Sequence, residues 1–114
     1  MKGLFILPNA DKAVIPSEKF TEYSLNPLKQ KDKAIAFERA LGYNMSNYQK
    51  LIDNIRANIT KFTATPKPDI GYGQRYQIIM ELVGENAKSA KVLTAWIFSD
   101  NKNIPTLTSA YIDK

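Results

Sequence analysis

Midway along the chain the apolar residues change their spacing, and that change limits the fold more than any other feature of the sequence. Up to about residue 59 they recur every three or four positions; from about residue 75 they alternate or run in short blocks. The first pattern lays an apolar stripe along a helix, and the second lays an apolar face along a strand. Between them stands Thr63-Ala64-Thr65-Pro66-Lys67-Pro68-Asp69, which reads as a connector. Helices first and strands second predict an α+β chain rather than an alternating α/β one. At 114 residues, a single α+β domain spanning 1–114 is expected.

Local signals divide each half. Pro16-Ser17-Glu18-Lys19-Phe20 has the form of a helix start, with Pro16 or Ser17 at the cap, and this helix should stop before Asn26-Pro27. A second helix is predicted over about 32–41, with Ala34, Phe37, Ala40 and Leu41 on one stripe and Gly42 ending it. A third begins near Ser46 as cap and carries Tyr48, Leu51, Ile52, Ile55 and Ile59 at helical spacing. Strand patterns cover 75–83, 90–98 and 106–112, separated by Gly84-Glu85-Asn86 and Asp100-Asn101-Lys102-Asn103. Links this short predict an antiparallel meander. The expected architecture is two to three N-terminal helices packed on a C-terminal antiparallel sheet of three to four strands.

Composition narrows the chemistry. Cysteine and histidine are both absent, which removes disulfides, thiolate ligands, a cysteine nucleophile and the usual neutral-pH acid-base group. Neither a metal site nor a cofactor is expected. No apolar run approaches the roughly 20 residues of a membrane span. The opening Met1-Lys2-Gly3-Leu4-Phe5-Ile6-Leu7-Pro8 is too short in its apolar part for a signal peptide, so it reads as the first folded segment and a cytoplasmic site of action is expected. The net charge of +5 is concentrated early: ten basic and six acidic residues up to Phe62, six and five beyond it. A positive surface suits nucleic acid, an anionic membrane or an acidic protein, or simply solubility.

Against that background four groups of residues stand out. Lys29, Lys31 and Lys33 cluster where a helix begins, and free helix N–H groups favour anions there. Gly71-Tyr72-Gly73-Gln74-Arg75-Tyr76 permits a tight turn and then sets an arginine on a strand, where a guanidinium can grip phosphate in bidentate fashion. Trp96 reads as core, and Thr94, two residues earlier on its face, as either a core hydroxyl or a substrate contact. On the last strand, simple alternation groups Thr106, Thr108 and Ala110 on one face and Leu107, Ser109 and Tyr111 on the other.

The blocks Leu7-Pro8-Asn9-Ala10, Tyr23-x-Leu25-Asn26-Pro27 and Lys33-Ala34-x-x-Phe37-x-x-Ala40-Leu41-Gly42-Tyr43 are followed by Tyr72-Gly73-x-Arg75-Tyr76, Trp96-Ile97 and Pro105-x-Leu107-Thr108-Ser109-Ala110-Tyr111. In this order they resemble an uncharacterised domain family of bacterial and phage sequences, over nearly the whole chain. Members look like stand-alone small proteins or C-terminal domains in the position typical of polymorphic toxins. The layout also resembles ribonuclease toxins of barnase, EndoU, colicin and RelE-like architecture. Two departures stand out: Lys31-Asp32 replaces the Gly-His or Gly-Gly that relatives often carry before the lysine, and Leu93 stands where many have arginine.

The resemblance and the residues together imply two classes of function. One is a metal-independent ribonuclease, toxin-like, acting on tRNA or another RNA. Lys33 would be its base or electrostatic stabiliser, Arg75 its phosphate clamp, Tyr72 or Tyr111 its proton relay, and Thr108 would orient the phosphate. Lys29, Lys31, Tyr76 and Thr94 would bind substrate. The other is a protein that binds without catalysis, either an immunity-like, regulatory or anti-defence partner of a host protein, or a nucleic-acid binder whose affinity falls with salt.

Overall fold

The computed structural model describes residues 5–98 and 103–113. The first four residues of the opening segment and residues 100–102 of the expected 100–103 loop therefore lie outside the described residues. A 3-10 turn (Ala10–Lys12) and a π-helical turn (Phe20–Ser24) precede α1 (Lys31–Leu41) and α2 (Tyr48–Asn58). Four strands follow: β1 (Ala64–Lys67), β2 (Gln74–Val83), β3 (Ser89–Phe98) and β4 (Thr106–Ile112). They form one antiparallel sheet in the order β1-β2-β3-β4. The α+β layout expected from the change in spacing is the one found.

The helices form where the stripes predict them. Ala34, Phe37 and Leu41 of α1 and Leu51, Ile52 and Ile55 of α2 are buried. Gly42 ends α1 in the left-handed region (φ 77) and its N–H donates to the Glu38 carbonyl. Two details differ from expectation. The first helix is a wide π-turn closed by Leu25 N–H to the Phe20 carbonyl at 2.9 Å. At α2 the cap position belongs to Asn47, while Ser46 turns back to the Asn44 side chain.

One face of the sheet packs on the helices. Ile78, Met80 and Leu82 of β2 join Val92 and Trp96 of β3 and Leu107 and Ala110 of β4 in a single core with Phe20, Phe37 and Leu41. Trp96 is 1% exposed. An aromatic residue buries roughly 150–250 Å², which at about 25 cal/mol per Å² is roughly 4–6 kcal/mol of transfer free energy. That makes this ring a main anchor of the fold.

Two sheet features correct the sequence expectation. The proline-rich connector contains a real strand: Pro66 pairs with Tyr76 and Lys67 with Arg75. The prolines are tolerated because β1 is the edge strand, where a missing N–H leaves no ladder bond unmade. The second correction is a β-bulge in β4. Trp96 pairs with Leu107 but Ala95 pairs with Ser109, leaving Thr108 as the extra residue. Simple alternation therefore fails there, and Leu107 falls on the same covered face as Ala110. Ser109 and Tyr111 stay together on the opposite, uncovered face.

The β2–β3 turn docks on the end of α1. Glu85 N–H donates to the Leu41 carbonyl at 2.8 Å, and a Cβ on Gly84 would run into the Leu41 backbone and side chain. An exposed Lys50–Glu85 pair at 3.2 Å sits alongside. Such a pair is worth roughly 0–1 kcal/mol, so the close approach at Gly84 is the stronger tie.

Candidate functional site

The uncovered sheet face holds a cleft of about 260 Å³. Its residues come from all four strands, in register. Lys67 of β1 faces Arg75 of β2, Gln77 faces Ala95, which faces Ser109, and Leu93 faces Tyr111. Arg75 is fixed by its Nε–H, which donates to the Pro68 carbonyl at 3.0 Å. Its two terminal NH2 groups make no hydrogen bond to protein among the described residues, so they are available to an anion. Thr108 spends its hydroxyl proton on the Ala95 carbonyl at 3.1 Å, tying down the bulge and leaving the oxygen as an acceptor.

A second cleft, also about 260 Å³, opens at the outer edge of β4 between the π-turn and the start of α1. Lys19, Tyr23, Gln30 and Lys33 line it on the helical side. Thr108 and Ser109 line both clefts and form the wall between them. Lys33 links the two, because its Nζ lies 5.0 Å from the centre of the Tyr111 ring. That distance suits a cation–π contact. Ser24, in the same cleft, is buried and donates to the Ala110 carbonyl, which ties the π-turn to the strand edge.

The charge is one-sided. Lys19, Lys33, Lys67 and Arg75 line the joined clefts, and neither contains an Asp or Glu among its described lining residues. Four cations beside hydroxyls suit phosphate oxygens, and a divalent cation would find no carboxylate there to hold it.

Of the residues singled out from sequence, Arg75, Thr108 and Tyr111 line the sheet cleft, and Lys33 lines the neighbouring edge cleft with its ammonium over the Tyr111 ring. Tyr76 also lines the sheet cleft, but its ring stacks on Phe5 at 5.9 Å and meets Phe98 edge-on at 5.6 Å. The others lie apart. Thr94 is fully buried; its hydroxyl donates to the Ile78 carbonyl at 2.9 Å and accepts from Trp96 Nε1 at 2.8 Å, so it has no free contact to offer. Tyr72 is 70% exposed on the β1–β2 loop, outside both clefts. Lys29 and Lys31 are exposed beside the start of α1 and line neither cleft.

That β1–β2 loop is organised by Asp69, whose Oδ1 accepts from Gly71 N–H at 2.7 Å and Gly73 N–H at 3.2 Å. Both glycines have positive φ (105 and 123), which a side chain would oppose. The Gly71 amide, followed by Gly73, holds the Asp69 carboxyl below its ordinary range.

Sequence reasoning missed Lys67, Gln77, Lys19, Tyr23 and Gln30. Lys67 was hidden in the supposed connector, and only strand pairing sets it opposite Arg75. Lys19 and Tyr23 carried a weak signal in their four-residue spacing, which puts one ammonium 5.6 Å from the other's ring centre.

Residues 6–114 match the family described as Domain of unknown function (DUF6883), and the chain belongs to that family. No curated protein and no solved structure matches it. Among the described residues no helix is long and apolar enough to cross a membrane.

Proposed function

We propose that this member of the DUF6883 family is a metal-independent ribonuclease, toxin-like in kind, that binds an RNA phosphate in the joined clefts. The observation that carries this reading is the meeting of Arg75, Thr108 and Tyr111 in one cleft with Lys33 over the Tyr111 ring. In the reaction the 2′-oxygen attacks the neighbouring phosphorus, the bond to the 5′-oxygen breaks, and a 2′,3′-cyclic phosphate and a 5′-hydroxyl result. Arg75 and Lys67 neutralise the charge gathering on the phosphorane. The Lys33 ammonium stabilises the oxyanion left when the 2′-hydroxyl gives its proton to water, and the Tyr111 phenol donates to the departing 5′-oxygen. Thr108 and Ser109 position the phosphate between the two clefts.

The test is cleavage of labelled single-stranded RNA in the presence of a chelator by the parent, Lys33→Ala and Arg75→Ala proteins. A loss of at least about 100-fold in each variant is expected, the range of a lost proton-transfer group or charge-stabilising donor. Absence of cleavage by the parent, or equal cleavage by all three, sinks the catalytic reading.

One observation favours a second reading, in which the same clefts bind RNA without cutting it. Leu93, where many resembling sequences have arginine, sits in the cleft opposite Tyr111, and neither a carboxylate nor an imidazole stands among the described lining residues. This reading expects salt-dependent binding of intact RNA, weakened in Arg75→Ala. A third form, capture of a cognate immunity or host protein, would use the same positive face against an acidic partner.

A further inference from the structure

The edge cleft differs from the sheet cleft in a way that points to a different part of the ligand. Both hold two cations, but the edge cleft adds an accessible ring and an unused acceptor. Tyr23 remains 48% exposed beside Lys19. Gln30, in the wall of the same cleft, keeps its Oε1 buried without a hydrogen-bond partner among the described residues. A buried acceptor left unpaired is uncommon in folded proteins. A phosphate diester offers oxygens only and cannot supply the missing donor, whereas every nucleobase of RNA carries at least one N–H. The volume agrees: about 260 Å³ lies under the roughly 300–1,000 Å³ of drug-sized ligand sites, leaving room for one planar ring system.

We infer that the edge cleft is a nucleobase subsite, in which an unpaired base next to the bound phosphate stacks on Tyr23 and donates an N–H to Gln30. This rests on the RNA reading above and narrows it to single-stranded RNA, because a base held in a duplex cannot enter. Lys33 and the shared Thr108–Ser109 wall lie between base and phosphate. Turning the Gln30 amide so that its oxygen meets the base breaks no hydrogen bond at that atom among the described residues.

The experiment compares two labelled single strands of equal length and backbone, one bearing bases and one abasic, by fluorescence anisotropy. Stacking of one base corresponds to about 5- to 150-fold in affinity, and the parent should prefer the base-bearing strand within that range. Tyr23→Leu should bring the ratio close to one while leaving abasic affinity unchanged, and Tyr23→Phe should restore it. Tyr23 is about half exposed and lies outside the core, so both variants should fold. Gln30→Leu should lower the ratio without lowering the melting temperature, since it removes an unpaired acceptor.

Equal binding of both strands by the parent, or a ratio indifferent to Tyr23→Leu, overturns the base subsite while the phosphate reading survives. Failure of both strands to bind at low salt overturns both readings.

Discussion

Thr94 and Thr108 lie on neighbouring strands of one sheet and offer the same side chain, yet the fold uses them in opposite ways. Thr94 is on the covered face, where its hydroxyl links the Ile78 carbonyl to the Trp96 indole and has nothing left over. Thr108 is the bulge residue, exposed, with its acceptor side open to two clefts. The contrast extends to the faces. Ile78, Met80, Leu82, Val92, Trp96 and Leu107 on one side are buried, while Lys67, Arg75, Gln77, Leu93, Ser109 and Tyr111 on the other are only half-buried. One face supplies stability and the other is free to supply chemistry, so mutations should separate cleanly into those two readouts.

The largest effect expected is on the covered face. Trp96→Ala should cost about 3–5 kcal/mol in chemical denaturation, whereas Leu93→Ala, three residues away on the open face of the same strand, should cost below about 1 kcal/mol. Comparable losses from both would mean that the open face is a second core. Next comes the threonine pair. Thr94→Val leaves the buried Trp96 N–H unpaired and should cost about 1–3 kcal/mol with RNA affinity unchanged. Thr108→Val should do the reverse, with little change in melting and weaker RNA binding. If the two variants behave alike, the division between faces is wrong.

How far the sequence foretold this division depends on what each residue had to signal. Helix positions such as Phe37, Leu41, Leu51 and Ile55 announced their burial through spacing alone, because a helix repeats locally. Arg75 and Tyr111 were singled out for their side chains, a guanidinium and a phenol on strands, and both line the sheet cleft. Lys67 was not, because prolines hid a strand that exists only by pairing with β2. Thr108 was misplaced for a related reason. A bulge is an agreement between two strands, and no periodicity within one of them reveals it.

A smaller change sharpens the comparison from the other side. Leu93→Arg puts a fifth cation in the joined clefts, and the slope of log affinity against log salt should steepen by about 1. An unchanged slope would mean that RNA does not cross the β3–β4 part of the open face. The smallest effect lies at the Asp69 loop. Gly71 and Gly73 amides hold its carboxyl below the ordinary range, so the contribution is present above the unfolded value and is lost as pH falls through the lowered folded one. The Gly71 amide resonance should follow that titration by NMR and should be pH-independent in Asp69→Ala. A midpoint at the ordinary aspartate value would show that the loop is not held this way.

The docking of the β2–β3 turn on Leu41 makes α1 a lever. Its C-terminal end is clamped where Gly84 admits the closest approach, and Lys33 rides near the other end. At about 1.5 Å per residue the arm from Leu41 to Lys33 is roughly 12 Å long, so a tilt of about 5° at the clamp would carry that ammonium roughly 1 Å. A displacement of that size is enough to cost about 100-fold in a positioned reaction. Gly84 touches neither cleft, yet a methyl group added there would detune both, and the strain would be read out at the Tyr111 ring.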